Sequence, residues 1–158
     1  RRKANGGVLM VTFVAGFVDP DVAKDMQPLI EEFNRRARTL KTEKEREQLR
    51  AEIQARATAT APKTSVAKVA DQIDYIRKVA GVEHIGLGGD FDGNTQWPEG
   101  LSDVSMYPNL FAELIRRGWS DADLKLLAGE NLLRAMGRAE VMAAELQKTT
   151  KPGLARPG

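Results

Sequence analysis

Asp90 and Asp92, followed by Gly93, stand directly behind the short apolar run Ile85-Gly86-Leu87-Gly88-Gly89. A buried strand that ends in glycines and then delivers carboxylates is where an α/β protein usually does its chemistry. A carboxylate placed there can bind a cation, attack an electrophile or move a proton. The spacing alone does not choose. Two residues apart share a face on a strand, but on a loop the interval fixes nothing.

A calcium loop of the EF-hand type would need a glycine at its sixth position and a closing glutamate at its twelfth. Thr95 and Leu101 occupy those places, which argues against it. A dinucleotide loop would need a third glycine opening a helix, and none is in place. Strand followed by Asp-x-Asp-Gly also fits the first motif of haloacid-dehalogenase-type phosphatases, in which the first aspartate attacks phosphorus and the second is the acid–base. That motif usually lies on the N-terminal strand, whereas here 89 residues precede it. This reading stays open at this point.

Composition narrows the classes. The 158 residues suffice for one domain with a real core, and 42% hydrophobic and 29% charged residues are ordinary for a globular protein. Twenty-four basic against 22 acidic side chains leave a net charge of +2, which gives no reason to expect nucleic acid as a partner. Cysteine is absent, excluding disulfides and thiolate metal sites. No apolar run is long enough to span a membrane. The opening Arg1-Arg2-Lys3, close before a strand, reads as part of something longer.

The elements that position the acidic pair emerge from periodicity. Continuous apolarity over 8–14 predicts a strand buried on both faces, as in a parallel sheet. Gly6-Gly7 before it reads as a helix stop, leaving 1–5 as the last turn of an earlier helix. Asp19-Pro20-Asp21 starts a helix carrying Met26, Leu29, Ile30, Phe33, Ala37 and Leu40. Thr42-Glu43-Lys44-Glu45 is a capping box opening a second helix over 43–57. Its interleaved charges, without aromatics, read as a solvated hairpin rather than a nucleic-acid patch. A small-residue loop over 57–63 leads to a helix capped by Thr64 or Ser65, with Val66, Val69, Ala70, Ile73, Ile76 and Val79 apolar, and ended by Gly81. Next come a strand over 85–87 and a loop over 89–106. Pro108 opens a helix bearing Leu110, Phe111, Leu114 and Ile115. Gly118 stops it, and Ser120 caps a last one carrying Leu124, Leu127, Leu132, Leu133 and Met136 to about 147. Strand, crossover and strand form a βαβ unit, and two strands do not make a stable sheet alone.

Several segments together carry a resemblance. His84-Ile85-Gly86-Leu87-Gly88-Gly89-Asp90-Phe91-Asp92-Gly93 is similar to the signature strand of the membrane dipeptidase family, the renal-dipeptidase-like zinc peptidases of family M19. Pro98-Glu99-Gly100-Leu101, Tyr107-Pro108-Asn109-Leu110, Glu113-Leu114-Ile115-Arg116-Arg117-Gly118-Trp119-Ser120 and Asn131-Leu132-Leu133-Arg134 resemble the family's segments C-terminal to that strand. Ala4-Asn5-Gly6-Gly7-Val8-Leu9-Met10-Val11 resembles its penultimate strand. The likeness leaves out the 20–63 insert and the tail.

The resemblance implies an α/β fold: residues 1–147 as the last two strand–helix units of a TIM (β/α)8 barrel of the metallo-dependent-hydrolase kind. Two or three short parallel strands are expected, with a helical hairpin insert at 20–63 and a disordered tail at 148–158. It implies a zinc-dependent metallodipeptidase hydrolysing dipeptides, with two zinc ions in the complete enzyme. Asp90 falls on the family aspartate that faces the bound dipeptide and helps handle the proton, so it is the expected catalytic and substrate-binding residue. The family's zinc ligands are histidines, aspartate and glutamate from elsewhere in the barrel, and this chain has one histidine. No metal ligand is expected in it, no zinc in these residues alone, and no activity without the missing N-terminal barrel portion. Val14 replaces a pocket-facing tyrosine of some relatives, and Gln72 stands where histidine is common. Asp92 is expected as a turn former, His84 as a residue of the strand entrance, and Trp97 and Tyr107 as loop packing. A homodimer is possible for the parent, and relatives include exported and membrane-anchored proteins. A non-catalytic helical interaction module of dipeptidase descent is the remaining alternative.

Overall fold

The computed structural model describes residues 5–60, 63–93 and 96–151. Residues 1–4 of the expected preceding helix turn, 61–62 of the expected loop and 152–158 of the expected tail lie outside these. The fold is mixed α/β and helix-rich, with two strands among the described residues. Strand β1 (Leu9–Thr12) lies parallel to β2 (Ile85–Gly89), pairing Leu9 with Ile85, Met10 with Gly86 and Val11 with Leu87. The register then slips, and Thr12 pairs with Gly89.

Between the strands come α1 (Ala15–Val18), α2 (Pro20–Ala37), α3 (Glu43–Thr60) and α4 (Val66–Ala80). After β2 come α5 (Tyr107–Arg116), α6 (Asp121–Lys125) and α7 (Asn131–Thr149). The core lies where α4 and α5 pack on the strands: Val11, Phe13, Val69, Ile73, Ile85, Leu110 and Leu114 are all buried. Val79 and Ile115, expected on the apolar faces, are exposed. At about 100° per residue they fall off the stripes set by Ile73–Ile76 and Leu110–Leu114.

The capping box forms as expected. The Thr42 amide donates to Glu45 Oε2 at 2.9 Å and the Glu45 amide to Thr42 Oγ1 at 3.3 Å. Helix α3 runs on to Thr60, beyond the expected 57, because its alanines and threonines carry no stop signal. Arg36 clasps the hairpin by two hydrogen bonds to Glu52, at 2.7 and 2.8 Å, and Arg56 reaches Glu32 at 2.9 Å.

Ser65 takes the N-cap position of α4, but its side chain makes no cap bond. Thr64 is committed elsewhere: its hydroxyl donates to Asp19 Oδ2 at 3.0 Å. Asp19 is buried, accepts from the Asp21 amide with its other oxygen, and has Lys68 Nζ at 3.7 Å. One carboxylate thus starts α2 and closes the base of the hairpin.

Strand β1 is not buried on both faces, since Met10 is 36% exposed. One parallel ladder covers one edge of each strand, and the other edge of β1 has no strand partner among the described residues. The final helices do not continue one pattern either. A π-turn over Leu126–Glu130, with Gly129 extended at φ 179°, kinks the chain between α6 and α7. Leu133 and Met136 then face solvent.

Candidate active site

Strand β2 ends in an abrupt change of direction. Gly89 adopts φ 55° and Asp90 φ 65°, so two successive residues are left-handed. Glycine enters that region freely, and aspartate is among the few side-chain-bearing residues that tolerate it. The Asp90 amide donates to the Gly88 carbonyl at 2.5 Å, closing a tight turn. The side chain of Asp90 is exposed and folds over Gly93. A Cβ at Gly93 would overlap Asp90 Oδ1, so the absence of a side chain there is what makes room for the carboxylate.

Three rings hold this turn against its neighbours. Phe13, just past the end of β1, meets Phe91 edge-on at 5.8 Å and Tyr107 at 5.6 Å, and Phe91 lies 6.0 Å from Tyr107. Such edge-to-face contacts add about 0.5–1.5 kcal/mol per pair beyond the area they bury. The Phe13 amide also donates to the Gly89 carbonyl at 2.9 Å. Both strand exits and the first turn of α5 therefore converge on the residue after Asp90. Burial pushes the Tyr107 phenol above its ordinary value of 10.0, so it stays protonated at neutral pH. Its hydroxyl lies against Gly89: a Cβ there would sit 3.1 Å away.

The remaining expected residues separate from this point. Asp92 is exposed in the turn after Phe91. Trp97 is half-buried in the loop before Pro98, which is itself buried. His84 lies at the opposite end of β2, buried in the single turn Val82–His84, with Nδ1 2.7 Å from the Gly7 carbonyl. A carbonyl only accepts, so that nitrogen carries the proton and the histidine ties the two strand entrances together. Asn131 is not marked out by the sequence as a functional position. It is fully buried, and its amide nitrogen donates to the carbonyls of Val82 at 2.7 Å and Ile85 at 2.9 Å. Arg134 caps the Gly6 and Glu83 carbonyls beside it. The entrance face is thus a set of backbone anchors, and the exit face carries the exposed carboxylate of Asp90.

Across residues 1–150 the sequence matches the family described as membrane dipeptidase, peptidase family M19. The chain belongs to the membrane dipeptidase family. Its curated relatives include Dipeptidase aclJ of Aspergillus oryzae, 48% identical over 85 residues, or 54% of this chain and 20% of that protein. Dipeptidase 3 of Rattus norvegicus is 49% identical over 76 residues, 48% of this chain and 16% of the relative. Dipeptidase 3 of Homo sapiens is 46% identical over 81 residues, 51% and 17% respectively. Among solved structures, the probable dipeptidase PvdM from Pseudomonas aeruginosa is similar, with a TM-score of 0.66 and 31% identity, over 85% of this chain and 38% of that one. The matched part of this chain thus corresponds to about a fifth or less of these curated relatives.

A metal centre needs several donors converging on one point. Among the described residues no group of three or more His, Asp or Glu side chains is so placed. His84 and Asp90 lie at opposite ends of β2. The described residues therefore do not by themselves fit a two-zinc site.

Proposed function

We propose that this membrane dipeptidase chain forms part of a zinc-dependent dipeptidase and contributes Asp90 to its active face. In this reading residues 1–147 form the last two strand–helix units of a (β/α)8 barrel, and the hairpin over 20–63 covers the active face. The zinc ligands come from residues outside this chain, and these 158 residues alone neither bind two zinc ions nor cleave dipeptides. The observation that carries the reading is the position of Asp90: an exposed carboxylate at the carboxyl end of a parallel strand, in a chain of dipeptidase ancestry. Barrel enzymes place their chemistry there.

Hydrolysis adds water to the peptide carbonyl, breaks the C–N bond and hands a proton to the departing amine. Asp90 is suited to the last transfer, since a positioned carboxylate can accept the proton and pass it on. The phosphatase alternative gains nothing from the fold, because among the described residues no strand follows β2. The interaction-module alternative keeps one observation in its favour, the exposed apolar side chains Leu133, Val141, Met142 and Leu146 on α7.

The deciding experiment is Asp90→Asn in the full-length protein. Asparagine tolerates the left-handed backbone, so the fold is kept. Turnover on dipeptides such as Gly–Leu should fall by about 10²–10⁴-fold, the usual worth of a positioned acid–base, with zinc content near normal. Unchanged turnover would remove Asp90 from the mechanism. Zinc-dependent cleavage of Gly–Leu or L-Ala–D-Ala by residues 1–158 alone would overturn the claim that these residues are insufficient.

A further inference from the structure

The helical hairpin does more than cover space. A cavity of about 300 Å³ opens between it and the exits of the two strands. Met26, Ile30 and Phe33 of α2, Ile53 and Ala57 of α3, and Val14 behind β1 give it an apolar lining. Gly93 is also on its wall, and Gly93 is the residue over which the Asp90 carboxylate folds. The cavity wall therefore includes a residue that lies directly under the proposed catalytic group. Among the described residues its lining holds one charged side chain, Arg50, two amides, Gln54 and Gln96, and no carboxylate.

We infer that this cavity receives an apolar side chain of the substrate, and that the hairpin thereby makes the enzyme selective for dipeptides carrying one bulky apolar residue. The inference rests on the proposed function and deepens it. A peptide bond held at Asp90 places the substrate's flanking side chains within a few ångströms of that carboxylate. A pocket of this size and lining accepts a leucine- or phenylalanine-sized group and rewards its transfer from water. A lysine or arginine side chain would have to shed its hydration among apolar walls and approach the like charge of Arg50. Small side chains would leave the space unused.

The test uses the full-length, zinc-loaded protein and the two series X–Gly and Gly–X, with X as Ala, Leu, Phe or Lys. In one series kcat/KM for Leu and Phe should exceed that for Ala by about tenfold or more, and Lys should fall below Ala, because even one methylene in an apolar pocket is worth about tenfold or more. Ile53→Trp, which fills the cavity from α3, should lower the Leu-to-Ala and Phe-to-Ala ratios of kcat/KM to about one. Arg50→Gln, which removes a charge from the cavity wall, should raise Lys relative to Ala. An Ile53→Trp variant that keeps the Leu-to-Ala ratio, or lowers both equally, would overturn the inference alone. Failure of the full-length protein to cleave any dipeptide would overturn the proposed function and this inference with it.

Discussion

The anchor at the entrance of β2 offers a sharp test of how the site is held. Asn131 is fully buried and donates two hydrogen bonds from one nitrogen, to the carbonyls of Val82 and Ile85. The Val82 carbonyl keeps a second partner, the Ile85 amide, so it loses only the net worth of one bond, about 1 kcal/mol. Ile85 is buried. Loss of the amide at its carbonyl costs an incompletely satisfied acceptor, about 1–3 kcal/mol. Asn131→Ala also removes the carboxamide oxygen, which is buried without a partner among the described residues, so the full-length protein should lose roughly 1–3 kcal/mol, read from the midpoint of urea unfolding. Asn131→Asp keeps the volume but replaces the donor by a charge facing two carbonyl oxygens. Those oxygens and burial raise the new carboxyl's pKa, so its penalty should be largest at neutral pH and shrink on acidification, as protonation restores one O–H donor. A loss below about 1 kcal/mol for Asn131→Ala, or an Asn131→Asp variant as stable as the parent at pH 7, would show that this amide does not hold the strand.

Two other perturbations probe the exit face and the hairpin. If Asp90 acts as proposed, Gly93→Ala should lower turnover of the full-length protein about 10–100-fold with little change in melting temperature, because the new methyl displaces the Asp90 carboxylate and small misplacements of a catalytic group are that costly. Normal turnover in that variant would detach Asp90's position from activity. The hairpin should loosen in acid. Glu32 is held below its ordinary 4.5 by Arg56 and then Arg36, Glu52 by Arg36, and Glu45 by the Thr42 amide and then its hydroxyl. A depressed carboxylate stabilises fully above its unfolded value and loses that contribution as pH falls through the folded one. Amide exchange in α2 and α3 should therefore be unaffected by pH above 4.5, after correction for intrinsic rates, and accelerate below it.

The features legible in the sequence are local. The Thr42–Glu45 box, Asp19-Pro20 and the stops at Gly81 and Gly118 depend on neighbours within a turn, and each element begins or ends where those residues place it. The resemblance locates Asp90 on a strand end, but not its left-handed backbone or its dependence on Gly93. Contacts between residues far apart in the chain are out of reach. Asp19 is legible as a helix cap, whereas its bond to Thr64 spans 45 positions. Asn131 sits in a run with an ordinary apolar pattern, and its two acceptors are 46 and 49 residues away. Periodicity places the apolar residues of α2 on one face. That this face borders an open cavity rather than a filled core depends on where α3 returns, which no periodicity encodes. Glycines at the end of β2 hide two strand residues, because glycine has little strand preference of its own and the ladder with β1 decides the matter.

The φ of 65° at Asp90 restricts what evolution or a saturation library can try at this position. Glycine, asparagine and aspartate enter that conformation at little cost, and β-branched or bulky residues are strongly disfavoured. Of the three, one ionises at neutral pH. A lineage in which this turn is fixed therefore cannot drift gradually toward threonine, valine or isoleucine at residue 90. It can keep the acid, mute it to asparagine or erase it with glycine. New chemistry at this strand end would have to come from a rebuilt turn or from another loop.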